Sequence, residues 1–251
     1  MSSGAPPLPA AATCELSVVS YNVHRCIGAD GRHDPGRVAE VLRELDADVI
    51  GLQEVASRFR GAGALDQLAY LARALGYQPV AGPTLLQHRG HCGNALLTRL
   101  PILGVDRIDL SIAGREPRGA IDVKLGLGGD DVRVVVTHLG LRWRDRRAQA
   151  RWLVDALGED RGGFVVLLGD INEWLPRLGC LGRLHARLGR APAVRSFPAR
   201  RPLFALDRVW VHPRVGLIEV RAHATPLARV ASDHLPVRGT IEWLTSAASV
   251  A

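Results

Sequence analysis

The first clear pattern along the chain is Leu16–Val23 (LSVVSYNV), a β-branched and aromatic run that predicts a strand. Apolar positions Val38, Val41, Leu42 and Leu45 then recur at helical spacing. Asp34 can cap that helix and Pro35 suits its first turn, so a helix is predicted over 35–45. A short buried strand over 49–52 runs into Gln53-Glu54, and a second helix over 64–75 is stopped by Gly76. Further strands are predicted at 77–81, 94–98, 102–110, 120–127 and 132–139. The second half repeats the plan with a helix over 145–157 and a continuous apolar strand over 164–168. A loop-rich stretch with one short helix near 178–188 precedes strands at 206–212, 217–222 and 235–243. Two mixed sheets packed face to face with helices outside satisfy this order. No Pro- or Ser-rich linker divides the halves, so one domain is expected over 15–245, between tails at 1–14 and 246–251.

Composition narrows the class. An apolar content of 47% excludes a disordered chain, and no apolar run reaches the roughly 18 residues that span a bilayer. The first thirteen residues lack the basic and apolar regions of a secretory signal, so a tail and a cytoplasmic location are expected. Cys14, Cys26, Cys92 and Cys180 are scattered without CxxC spacing, which signals neither a zinc knuckle nor a disulfide framework. A net charge of +7 permits a polyanionic partner, nucleic acid or an anionic lipid surface. Only Lys124 among the 32 basic residues is a lysine, so compositional bias explains part of that charge. Arg142, Arg144, Arg146, Arg147 and Arg151 cluster within ten residues, as a solvated helix face or, less commonly, a phosphate-binding edge.

Five polar islands stand at strand ends, where a rigid scaffold can aim side chains into a common cleft. In Ser20-Tyr21-Asn22-Val23-His24, strand alternation puts Asn22 and His24 on one face, where an amide and an imidazole can hold a water or a phosphate oxygen. A structural turn explains the same residues. Glu54 ends a buried apolar strand and must be paired or bind a cation. Oxygen ligation suits Mg²⁺, Mn²⁺ or Ca²⁺, and a salt bridge is the alternative. His138 leaves an apolar strand in Thr137-His138-Leu139, a position where structural histidines are common. In Gly169-Asp170-Ile171-Asn172, Asp170 can orient or deprotonate a water and Asn172 can donate to a developing oxyanion. The last island, Ser232-Asp233-His234, offers Asp233 to a metal and His234 to a phosphate. Asp207, heading a further strand, is an acid that can pair with an imidazole and keep it cationic.

Taken in order, SYNVH, LQEV, THL, GDIN, LDRVWV and SDHLPV resemble the endonuclease/exonuclease/phosphatase (DNase I-like) superfamily over about residues 16–243. The resemblance implies an α+β fold, a four-layer α/β/β/α sandwich of two mixed, mainly antiparallel sheets. It also implies a metal-dependent phosphoesterase. By that resemblance Glu54 is the principal metal ligand, with Asn22 and Asp233 assisting, and Asp170 activates water. Asn172 binds the scissile phosphate, while His234, supported by Asp207, stabilises the transition state. His138 matches the histidine of the nuclease and sphingomyelinase branches, which sets the abasic-site endonucleases apart. Arg118 stands where many members place a phosphate-facing basic residue. The implied reaction is in-line attack of water on phosphorus, with Mg²⁺ (or Mn²⁺, or Ca²⁺) as cofactor.

The basic balance and the DNase-like histidines put nucleic acid first among substrates. A sphingomyelinase- or inositol-phosphatase-like activity on an anionic lipid headgroup or a small molecule comes second. A non-catalytic binding module comes last, because the full set of acids, amides and histidines is present. A monomer is expected.

Overall fold

The computed structural model describes residues 13–58, 65–88, 90–128, 130–158, 164–174, 179–213 and 216–244. The predicted tail at 246–251 and most of that at 1–14 lie outside them. Thr13 and Cys14, expected in the tail, instead extend the first strand and pair with Leu244 and Trp243.

The first sheet has the order β11-β12-β1-β2-β5-β4. Its strands are β1 (Thr13–Asn22), β2 (Val49–Arg58), β4 (Gln78–Gln87), β5 (Gly90–Thr98), β11 (Leu217–Ala222) and β12 (Val237–Leu244). A seventh strand, the short β3 (Leu65–Asp66), pairs with β2. The second sheet, in the order β10-β9-β8-β7-β6, uses β6 (Ile102–Asp109), β7 (Gly119–Leu127), β8 (Asp130–His138), β9 (Phe164–Asp170) and β10 (Asp207–His212). β1 and β2 are parallel, as are β8 and β9, and the other pairs are antiparallel. Each sheet is therefore mixed, as the alternation predicted.

Three apolar layers hold these sheets. Val38, Val41, Leu42 and Leu45 of α1 (Pro35–Leu45) and Leu68 and Leu71 of α2 (Gln67–Leu75) pack on Val19, Ile50 and Leu52. Between the sheets lie Val18, Leu96, Val134, Val136, Leu168 and Val209. On the far side, Ala150, Leu153 and Leu157 of α3 (Trp143–Leu157) and Leu181, Leu184 and Leu188 of α4 (Leu181–Leu188) cover Val135, Leu167 and Trp210. The order is helix, sheet, sheet, helix: the four-layer sandwich. Gly51 lets the sheets close on each other, because a Cβ there would stand 2.9 Å from Val136 Cγ2.

Local chemistry sets the helix bounds. Asp34 accepts from the Arg37 N–H at 3.0 Å, with Pro35 in the first turn, so α1 starts where predicted. The second predicted helix starts later than expected. Asp66 belongs to β3 and caps α2 by accepting from the Ala69 N–H at 3.1 Å. A one-turn helix, α5 (Ala228–Ala231), was not predicted, being too short to show a period. β2 runs past its predicted end, because a bulge between Leu52 and Val55 lets pairing with β5 resume beyond Glu54.

Candidate active site

The parallel pairs put the carboxyl ends of β1, β2, β8 and β9 at one edge of the two sheets. In register across the second sheet stand His138, Asp170 and Asp207, each beside the next. Asn22 stands beside Gln53 across the first sheet. Residues opposite one another on adjacent strands project to the same face, so backbone pairing alone gathers most of the site.

Asp170 is its centre, nearly fully buried, with Oδ2 facing three groups. Asn22 Nδ2 donates to it at 3.1 Å, His138 Nε2 lies 3.4 Å away and His234 Nε2 3.7 Å away. The other oxygen accepts from the Asn172 backbone N–H at 3.0 Å. Asn172 Nδ2 donates to the Leu139 carbonyl at 3.0 Å and meets His138 Nε2 at 3.0 Å. Asn22 Nδ2 also reaches Glu54 Oε1 at 3.2 Å, which ties the first sheet's residues to the second's. Ser232 Oγ donates to the Asn22 carbonyl at 2.7 Å, fixing the loop that carries His234.

The two histidines are in opposite electrostatic states. Burial lowers the pKa of His138 to about 3; Asp170 opposes that shift, while Arg118 and His234 reinforce it, so this imidazole is neutral at pH 7. Burial acts on His234 in the same sense but is outweighed by Asp207, Asp170 and Asp233, which push its pKa up to about 10. Its Nδ1 donates to Asp207 Oδ2 at 2.8 Å. The same oxygen accepts a short hydrogen bond from Ser196 Oγ. Asp207 is fully buried, so this pairing holds a cationic imidazole beside the Asp170 carboxylate.

Other expected residues reach the cleft differently. His24 does not continue the strand: β1 ends at Asn22, and His24, Arg25 and Cys26 all adopt positive φ (47°, 54° and 57°). The His24 N–H donates to Asn22 Oδ1 at 3.0 Å, and its Nδ1 donates to the Ile27 carbonyl at 3.0 Å. Its half-exposed ring therefore sits at the rim, 3.8 Å from Asp233 Oδ1. Asp233 faces His24 and Ser232. Arg118 lines a recess with Glu54, Asn94 and His138, and both its terminal nitrogens donate to Glu116 at 3.3 Å.

The donor set suits a hard cation at Glu54. This half-buried carboxylate has an amide neighbour and no arginine or histidine within ion-pair distance among the described residues. Its φ of 57° turns it out of the strand toward the cleft. Asp170, Asp207 and His234 form a tighter cluster, but Asp207 and His234 already satisfy each other. Glu54 and Asn22 are the better candidates.

Several contributors escaped the sequence reading. Ser196, which holds Asp207, lies in a segment without a motif. Arg146 is buried and pairs with Glu173 at 3.1 Å while donating to the Gly140 and Leu141 carbonyls, which fixes the loops after β8 and β9 together. Its position four residues before Ala150, on the stripe that includes Leu153 and Leu157, is the signal that could have removed it from the solvated arginine face. Phe197 packs against His234 with ring centroids 4.8 Å apart.

A buried carboxylate–histidine–carboxylate array beside a carboxamide, on a four-layer sandwich, defines a class of phosphoester-hydrolysing proteins. The chain belongs to the Endonuclease/Exonuclease/phosphatase family, which it matches over residues 19–234. Members of this family hydrolyse phosphate esters and generally use divalent metals. The protein YbhP of Escherichia coli K12 is 30% identical over 250 residues, covering 90% of this chain and 96% of YbhP. An endonuclease/exonuclease/phosphatase from Beutenbergia cavernae superposes with a TM-score of 0.75 at 24% identity, covering 93% of this chain and 72% of that one. The human Nocturnin catalytic domain, solved with a bound sulfate, superposes with a TM-score of 0.70 at 22% identity over 96% of this chain and all of that domain.

Proposed function

We propose that this protein is a divalent-metal-dependent phosphodiesterase that cleaves its substrate by in-line attack of water. The observation that carries the reading is Asp170 Oδ2, which stands within 3.7 Å of Asn22, His138 and His234. Such a carboxylate can accept a proton from a water as its oxygen bonds to phosphorus. The cationic His234, held by Asp207, faces the negative charge that develops on the phosphoryl oxygens. Asn172 can offer its amide to the same oxygens by releasing the Leu139 carbonyl. His138, kept neutral by burial, can hydrogen-bond the phosphoryl group but is a poor acid at pH 7. A metal held by Glu54 and Asn22 would supply Lewis-acid polarisation of the phosphate.

Nucleic acid is the first substrate reading, supported by the +7 charge. A phosphodiester carried on an amphiphile is the second, favoured by Leu141 and Trp143, which are exposed in the loop after β8 and at the start of α3. The test is turnover of bis-p-nitrophenyl phosphate by the purified protein, in EDTA and after adding Mg²⁺ or Mn²⁺. EDTA is expected to remove activity and metal to restore it. Asp170→Asn is expected to lower kcat by about 10²-fold or more in a protein that remains folded by circular dichroism. Full turnover in EDTA, or wild-type turnover by Asp170→Asn, would refute the reading.

A further inference from the structure

Eight large apolar side chains are exposed among the described residues, and five of them are Leu141, Trp143, Trp174, Leu203 and Phe204. These five lie on segments that leave β8 and β9 and enter β10, the edge that carries the active site. The other three, Tyr70, Leu86 and Leu103, are on α2, β4 and β6. Physical links join the five to one another and to the cleft. Trp174 packs edge-on against Phe197 at 5.6 Å and Phe204 at 4.9 Å, and Phe197 packs on His234. Arg146 bonds both the Leu141 carbonyl and the Glu173 carboxylate, which makes the Leu141–Trp143 tip a neighbour of Trp174.

A basic groove adjoins this apolar rim. Arg144, Arg147 and Arg151 recur at i, i+3 and i+7 on α3, so they share a face. With Arg183 of α4 and Trp143 they line an open groove of about 510 Å³. The Arg144 and Arg147 guanidiniums lie over the Trp143 ring at 5.3 and 5.6 Å. None of the four arginines has a carboxylate within ion-pair distance among the described residues.

We propose that this rim and groove form a docking surface for an anionic lipid–water interface, which turns the cleft toward the phosphates of the headgroup layer. Exposed leucine and tryptophan beside exposed arginine match such an interface in both its apolar and its charged layer. A single-stranded nucleic acid fits less well. Leu141 and Leu203 offer a base no ring to stack on, and Trp174 and Phe204 meet edge-on and so present no pair of parallel ring faces. A protein partner would have to bury four exposed arginines. The docking surface stands without the phosphodiesterase reading; only the choice of headgroup phosphodiesters as substrate rests on it.

The experiment is co-flotation with phosphatidylcholine vesicles, with and without phosphatidylglycerol, together with turnover of water-soluble bis-p-nitrophenyl phosphate. The wild-type protein is expected to float with the phosphatidylglycerol vesicles. Arg144→Gln with Arg147→Gln should weaken partitioning about 25-fold, at about fivefold per arginine. Leu141→Ser with Trp143→Ser should weaken it about tenfold or more. Both double variants should turn over the soluble ester as the wild type does, which also shows that they are folded. Wild-type protein that stays in the aqueous phase with anionic vesicles overturns the proposal, as do variants that bind as well as the wild type. Binding of a single-stranded oligonucleotide through the same arginines, without vesicle binding, overturns it in favour of the other polyanion. Wild-type protein that turns over the soluble ester but does not float with anionic vesicles sinks only this inference, whereas docking without turnover sinks only the proposed activity.

Discussion

Replacing Asp207 by Asn keeps the shape of a buried side chain and removes its charge. Asp207 Oδ2 accepts from His234 Nδ1 and Ser196 Oγ, while Oδ1 is buried without a hydrogen-bond partner. An asparagine that keeps both bonds through its oxygen must leave its NH2 where no acceptor stands, a desolvation cost of about 1–3 kcal/mol. Uncoupling His234 from its main counter-charge adds to this, since breaking a buried pair on one side costs about 3–5 kcal/mol in all. The imidazole would keep only Asp170 and Asp233 against burial, so its pKa should fall from about 10 toward or below the ordinary histidine value. At pH 7 His234 would lose its charge, and kcat should drop about 10²- to 10³-fold, as when one preorganised donor to a developing oxyanion is removed.

Two measurements check this reasoning. In a pH profile of bis-p-nitrophenyl phosphate turnover, the alkaline limb of the Asp207→Asn variant should move down by several units. In urea unfolding, the sign follows from a folded pKa raised above the unfolded one. The His234 contribution is fully present below about pH 6.5 and is lost as pH rises toward 10. The stability gap between wild type and variant should therefore be widest below pH 6.5 and narrow above it. A variant with wild-type kcat and an unmoved alkaline limb, or a gap that widens with pH, would refute the reasoning.

His138 works in the opposite sense: its folded pKa is depressed to about 3, so the wild type should lose stability as pH falls below about 6.5, by at most about 1.4 kcal/mol per pH unit. His138→Gln should flatten that slope between pH 6 and 4 in a series of melting curves, and an unchanged slope would count against a buried neutral imidazole. Gly51→Ala should cost about 1–3 kcal/mol in urea unfolding, because its Cβ would meet Val136 and Leu168 at 2.9–3.1 Å. Gly104→Ala, with Lys124 Cβ 3.9 Å away as its one near contact, is the matched control expected to be neutral or stabilising.

What the sequence made legible follows a physical divide. α1 was readable to the residue because cap, proline and apolar stripe are all local to it. The strands were readable in place but not in extent: nothing in Gln53-Glu54 says that β2 bulges and then resumes pairing. The site residues that terminate apolar strands, Asp170 and His138, announced themselves by the change from apolar to polar. Residues that act through a partner distant in sequence did not. Ser196 is eleven positions from Asp207 in a stretch without regular pattern. Arg146 reads as part of a charged face in sequence because neighbouring arginines hide its phase on the helix.

The backbone around the cleft carries one more consequence. Among the described residues six non-glycines have positive φ, and five of them, His24, Arg25, Cys26, Glu54 and Asn172, lie next to a strand end or at the β2 bulge, beside the site. Asparagine tolerates that conformation, but a glutamate or a cysteine there is held against its own preference by the surrounding strands. A glycine at position 54 would relax the bulge while deleting the carboxylate that it presents. Selection for thermal endurance alone would thus favour loss of the Glu54 carboxylate from the cleft.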